Sequence, residues 1–397
     1  MRSPPYAFDL DRPTNREERD HNRKRAGSSI APLQFLGQRD GRPPLHPLPI
    51  ESVPGKHLDG QPRSGELQVS DTNDESDHGF RHQPVLLERI VALFTPVPPG
   101  WVVDATVGGA GHATALLEQH PHLKVLGLDQ DGDALTAAAE RLRPFGDRAL
   151  LHRSRFDALD DIVKQLGTTP VSGVLFDLGV SSPQLDRADR GFSYQHDAPL
   201  DMRMDQRQPR SADDIVNHTD ERQLAGLLRA YGDERFAGRI AKAIVRERPV
   251  GTTGQLAEIV RDAIPAPARR TGGHPAKRTF QAIRIAVNAE LDVLPSAIDA
   301  ALAALQPGGR CAVLAYHSGE DRIVKARFRH GVTGGWKGPA HLPPPSDIHP
   351  TIRLLKAGAW TPDAGEITAN RRAASARLRA AEKLAPATAD HDSTSVA

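Results

Sequence analysis

Three carboxylates in this chain close short apolar runs: Asp104 after Trp101-Val-Val103, Asp129 after Lys124-Val-Leu-Gly-Leu128, and Asp177 after Val174-Leu-Phe176. Each run reads as a buried strand. In an open α/β sheet, ligands sit beyond the carboxyl ends of the strands, so these acids stand where chemistry would be placed. Asp104 opens a turn, Gly108-Gly109-Ala110-Gly111-His112, whose glycines permit positive φ and close approach of a ligand. The turn leads into a helix, whose first amides suit an anionic or carboxylate group. Asp129 follows about 20 residues after Gly108, the spacing at which an acid holds the hydroxyls of a ribose. Together these features specify an adenosine-containing cofactor.

The Gly-X-Gly-X-X-Gly phosphate fingerprint is not met, and an acid at the mouth of the turn is poorly placed for a pyrophosphate. A cationic ligand suits it better. S-adenosylmethionine carries an ammonium, a sulfonium and no phosphate, which favours a methyltransferase over a dehydrogenase. A strand-end cap or turn former is an equal reading of Asp104 taken alone. Beyond Asp177 the chain runs Leu-Gly-Val-Ser-Ser-Pro-Gln184 and then a stretch rich in Asp, Arg and Gly up to Asp205. That stretch cannot continue a strand, so a loop must leave the sheet there.

The elements that would position these groups follow from the pattern after Phe80, which alternates strand and helix. It predicts an α/β, doubly wound, Rossmann-like methyltransferase sheet with helices on both faces. Strands are expected at 101–106, 124–129, 149–152, 173–178 and 310–317, after a leading helix at 84–94. Helices are expected at 113–120, 133–142 and 157–166. Residues 185–274 interrupt the rhythm with helical patterns at 221–231, 233–246 and 255–263, and read as an inserted helical substrate-recognition domain. The methyltransferase domain is therefore expected over 79–184 and 275–397, resuming with a helix at 278–294. Alternation in Ser375-Ala-Arg-Leu-Arg-Ala-Ala381 suggests a last, antiparallel strand. Residues 1–78 are rich in Pro, Arg, Asp, Gly and Ser and read as a disordered extension. A basic arm through Arg16, Arg19, Arg23, Lys24 and Arg25 is a weaker reading of it. Between Met1 and Met202 there is no methionine, so a later start would need a non-ATG codon, Val69 being one candidate.

Composition sets the limits. The 397 residues carry 51 Lys and Arg against 50 Asp and Glu, so any basic surface must be local. The single cysteine, Cys311, excludes a disulfide framework or cysteine zinc site within one chain and fits a reducing compartment. No apolar run approaches the roughly 20 residues of a membrane span, and the amino terminus lacks a signal-peptide core, which together point to the cytoplasm.

From Phe80 to Lys383 the chain resembles the ribosomal RNA small subunit methyltransferase H (MraW) family. The resemblance rests on His82-Gln-Pro-Val-Leu-Leu87, the turn at 108–112, all of 177–205, Tyr231-Gly-Asp-Glu-Arg-Phe236, Arg278 to Asn288, and His317-Ser-Gly-Glu-Asp-Arg322. It implies S-adenosylmethionine as cofactor and methylation of N4 of a cytidine in the decoding region of 16S ribosomal RNA, within the small ribosomal subunit. Carried over, it implies cofactor contacts at Ala110, Gly111 and His112, Asp129 on the ribose, Phe156 beside the adenine, Asp177 near the base or methionine end, and Gln184 beyond. Asp177 is also the candidate catalytic group, with no metal expected and no general base named. The chain departs from the family at Ala110, often Gly, at Gly319, usually Leu, and at Arg371, usually Pro.

Other residues keep two readings. Phe192 and Tyr194 could stack on a base turned out of its helix, or pack the loop. His317 could line the rim, while Ser318 reads as the cap of the next helix. Arg187, Arg190, Arg203, Arg207, Arg210, Lys277, Arg278, Arg327 and Arg329 could meet phosphates or pair with neighbouring acids. A same-fold enzyme acting on DNA or protein, or a non-catalytic ribosome-assembly module holding the cofactor, are the competing functions.

Overall fold

The computed structural model describes residues 84–270, 273–338 and 345–386. The expected extension at 1–78, its basic arm and Val69 lie outside the described residues, as does the start of the His82 block.

Continuous apolar runs make strands that are buried on both faces, as parallel sheets require. Five of them, β1 (Gly100–Asp104), β2 (Leu123–Asp129), β3 (Ala149–Arg153), β4 (Val171–Asp177) and β5 (Leu305–Ala315), are mutually parallel. Two more, β6 (Ile352–Leu354) and β7 (Arg377–Lys383), complete a seven-stranded sheet in the order β3-β2-β1-β4-β5-β7-β6, with β7 antiparallel to both neighbours. The C-terminal alternation thus does form the antiparallel strand expected of it. Its partner β6, only three residues long, carries no pattern of its own.

Side chains alternate across the sheet. Val102, Val125, Leu175 and Leu314 face one layer, made by α1 (Leu87–Phe94), α2 (Gly111–Gln119) and α3 (Gly132–Leu142). Val103, Leu126, Val174, Phe176 and Val313 face the other, made by α4 (Leu159–Leu166) and the later helices. Gly173 has no side chain because Phe94 of α1 lies there: a Cβ would sit 2.4 Å from the ring.

After the short α5 (Ser182–Asp186) the chain leaves the sheet. It builds α6 (Ala212–His218), α7 (Glu221–Gly232), α8 (Ala237–Arg246), α9 (Thr253–Ala263) and α10 (Ala266–Arg269). The helix α6 escaped the sequence pattern, and the expected helix from 233 begins later because Asp233 takes a left-handed conformation, φ 48°. The single helix expected over 278–294 is two, α11 (Lys277–Asn288) and α12 (Glu290–Ala304), broken at Ala289 with φ 52°. The reason lies in Asn288. Its amide donates to the Met202 and Arg284 carbonyls, at 2.8 and 2.9 Å, and accepts from the Met204 N–H at 2.8 Å. Ending α11 there lets one side chain pin the loop that follows Asp177. The helix α11 itself packs on α6 and α7, so closely that a Cβ on Gly232 would be 2.6 Å from the Arg278 carbonyl. Two last helices, α13 (Ser318–Val332) and α14 (Ala364–Ala369), flank the far strands. Among the described residues no helix is long and apolar enough to cross a membrane.

Candidate active site

Parallel register brings the three acids to one edge, on the adjacent strands β2, β1 and β4. Asp104 is 2% exposed. Burial, and then the charge of Asp177, push its carboxyl from 3.8 up to about 8, with Asp129 adding to the shift. The Thr106 N–H, 3.4 Å away, opposes it. Asp129 accepts from the Gly108 N–H and the Asp131 N–H, each at 2.9 Å, yet burial still raises it to about 6. A cation placed among these carboxylates would favour their ionised forms.

A pH dependence follows. A bound cation favours ionised Asp104, so below pH 8 binding must expel a proton, and affinity for S-adenosylmethionine should fall as pH drops from 8 to 6. In the free protein the sign is opposite. A carboxyl raised from 3.8 to about 8 loses stability for the fold as pH rises through that interval, because the unfolded chain ionises first. Calorimetric titration from pH 6 to 8.5 checks this. An equally flat affinity in the wild type and in Asp104→Asn would refute it.

The turn after β1 is tight. Ala110, buried, adopts φ 59° to start α2, a conformation that costs a non-glycine residue something. Gly111 follows because a Cβ would strike Pro84 at 2.4 Å. His112 is buried in the first turn of α2. Its Nε2 lies 3.0 Å from the Val85 carbonyl, and its Nδ1 lies 3.5 Å from Oδ2 of Asp177.

Asp177 is held from three sides. Its N–H donates to the Thr106 hydroxyl at 2.6 Å, its Oδ2 faces His112, and its Oδ1 accepts from the Tyr316 hydroxyl at 2.8 Å. Burial and the Asp177 charge push the Tyr316 phenol well above its ordinary value, so it stays a donor. Sequence reasoning missed Tyr316. The signal was its position directly after a strand; what was lacking was the neighbour relation, since β4 and β5 pair with Asp177 opposite Leu314.

Gln184 turns back on the protein. It accepts from the Ser181 N–H at 3.0 Å and donates to Oδ2 of Asp131 at 2.8 Å. The same oxygen accepts from Arg190 at 2.9 Å, while Oδ1 caps α3 through the Asp133 N–H at 3.0 Å. Arg190 is 2% exposed and also donates to the Arg203 and Met204 carbonyls, at 2.9 and 3.3 Å. Phe156, half-buried just past β3, meets Phe176 edge-on at 5.8 Å. His112 therefore meets Asp177 directly, and Ala110 and Gly111 precede it in the turn. Asp129 joins them through Gly108, and Gln184 is linked to Asp129 through Asp131.

Several of the remaining candidates meet partners within the protein. Phe192 is buried in the core under the Arg190 guanidinium, while Tyr194 stacks on His274 at 4.3 Å. The cap of α13 is His317, whose Nδ1 accepts from the Gly319 N–H at 3.2 Å. Ser318, expected to be that cap, donates instead to Asp233 at 2.8 Å. Several of the arginines that could meet phosphates are already partnered. Arg187 pairs with Asp133 and Asp189, Arg203 with Asp201, Arg207 with Asp205, and Arg327 with Asp299.

The model of the MraW methylase family matches residues 79–384. A ribosomal RNA small subunit methyltransferase H from Mycobacterium sp. (strain KMS) is 55% identical over 324 residues, covering 79% of this chain and 87% of its own. The protein of that name from Thermobifida fusca (strain YX) is 54% identical over 309 residues, covering 76% and 93%. A solved rRNA methylase from Streptococcus thermophilus aligns at 14% identity and a TM-score of 0.33, over 75% of this chain and 95% of that one. That likeness is too loose to bear on the reaction.

Proposed function

The chain belongs to the MraW methylase family, and on that premise we propose that it methylates N4 of a cytidine in the decoding region of 16S ribosomal RNA. It is an S-adenosylmethionine-dependent ribosomal RNA methyltransferase. The observation that carries the chemistry is the carboxylate edge, whose charge fits a sulfonium and an ammonium and whose glycine turn lets a ligand close in. We assign Asp129 to the ribose, the Ala110 to His112 turn and Asp104 to the methionine end, Phe156 to the adenine, and Gln184 to holding the adjoining loop. When bound, S-adenosylmethionine supplies an electrophilic methyl group.

The chain's own task is to hold the amino group in line with that methyl, within about 3–3.5 Å. Cytosine N4 is a poor nucleophile because its lone pair is delocalised into the ring. An acceptor on an amino hydrogen localises the pair, and Asp177 is that acceptor in our reading. Tyr316 fixes the carboxylate through Oδ1, and His112 backs Oδ2. The base must be turned out of its stack to arrive. We further propose the division into a methyltransferase domain, 79–184 and 275–397, and an inserted recognition domain, 185–274, on which α11 packs. The assembled small subunit as substrate and a cytoplasmic location belong to the same reading.

The test is transfer of labelled methyl to small subunits from a strain lacking this gene, with free 16S RNA and duplex DNA in parallel and nucleoside mass spectrometry of the product. N4-methylcytidine in the subunits is the expected result. Label in DNA or protein would overturn the substrate.

A further inference from the structure

We propose that the exposed edge of α8 is a cationic track that grips the phosphate backbone of the RNA beside the active site; this rests on the ribosomal RNA reading above. Arg239, Lys242 and Arg246 stand at i, i+3 and i+7 on α8, all exposed, while Ile240, Ala241 and Ile244 face the core. That spacing puts the three on one stripe, about 10 Å long at 1.5 Å per residue. Arg235 precedes the first turn of the helix, and Arg229 of α7 brings its guanidinium to within 3.5 Å of where a Cβ on Gly238 would be. Arg229, Arg235, Arg239 and Lys242 pair with no carboxylate among the described residues, and Arg246 meets only the exposed Glu247, at 2.9 Å. Glu234, the residue before Arg235, is buried and accepts from the Phe236 N–H.

The segment that leads into α8 is tied to the site. Arg278 donates to the Asp233 carbonyl at 3.0 Å, and the Asp233 carboxylate accepts from Ser318, two residues beyond the Tyr316 that holds Asp177. The arginines of the loop that follows Asp177 in the chain are neutralised by their own carboxylates, so they cannot supply this attraction without breaking ion pairs. Charge complementarity therefore selects a polyanion, and phosphates lying along a helix edge are read without regard to base.

The experiment uses the full chain carrying Arg239→Gln, Lys242→Gln and Arg246→Gln together, with binding to free 16S RNA measured against salt and methyl transfer measured in parallel. Each phosphate that the variant leaves unneutralised should lower the slope of log affinity against log salt by about 0.7–0.9, so the triple variant should lose about 2–3. Its KM for RNA or subunits should rise at least tenfold, with kcat at saturation and S-adenosylmethionine affinity retained. The charge-keeping variant Arg239→Lys with Arg246→Lys should keep the wild-type slope. An unchanged slope and KM in the triple variant overturn the track. So does a loss confined to assembled subunits, which would assign the stripe to a protein partner. Failure of the wild type to form N4-methylcytidine, with the slope still reduced in the variant, would overturn the reaction but leave the polyanion track standing.

Discussion

Asp177→Asn should lower kcat for methyl transfer by about 100-fold or more while the protein stays folded and binds S-adenosylmethionine. The magnitude is that of removing a preorganised charged acceptor from a reaction centre. The amide can still take the Tyr316 hydroxyl on its oxygen, so the change is electrostatic and local. Its other end becomes an N–H₂ facing His112 Nδ1 across 3.5 Å, and it no longer accepts from an amino group. Tyr316→Phe should cost less, because the carboxylate survives and only its orientation loosens. Single-turnover assays with saturating cofactor separate the two. A fully active Asp177→Asn would remove the carboxylate from the reaction.

Arg190→Ala should destabilise the fold by about 3–5 kcal/mol, the usual cost of removing one partner from a buried ion pair. Arg190 and Asp131 are both nearly inaccessible, and the guanidinium also holds two loop carbonyls. Deleting it strands the Asp131 charge and frees the segment that Gln184 anchors to the same oxygen. The urea midpoint should fall at unchanged slope, and transfer should fall with it. Asp131→Asn combined with Arg190→Met should recover part of the stability, since neither partner is then left charged and alone. A single-variant loss below about 1 kcal/mol would mean that water reaches the pair and that the loop is held elsewhere.

The strands bearing Asp104, Asp129 and Asp177 were legible because a parallel strand is written as an unbroken apolar run, and the acid that ends it is conspicuous. The glycine turn was legible for the same local reason. Tyr316 was not: its role depends on β5 lying beside β4, with more than 120 residues of chain between them. The fate of the arginines was hidden for a related reason. A sequence such as Arg187-Ala-Asp189 shows charges of both signs, but not that Asp133 of α3 also closes on Arg187. Even the break at Ala289 follows from a distant need, the two methionine backbones that Asn288 must reach.

The last strand of the sheet governs how the molecule comes into being. β7 lies between β5 and β6, so until Lys383 has been synthesised, β5 presents an open edge and β6 has nothing to pair with. Arg310 waits for Glu382, and Asp321 waits for Arg379. The nascent chain therefore emerges as an unfinished sheet with an adhesive margin, the kind of surface that recruits chaperones or other chains. A chain cut short of residue 383 should therefore aggregate rather than persist as a weakened enzyme, which the soluble fraction on expression checks.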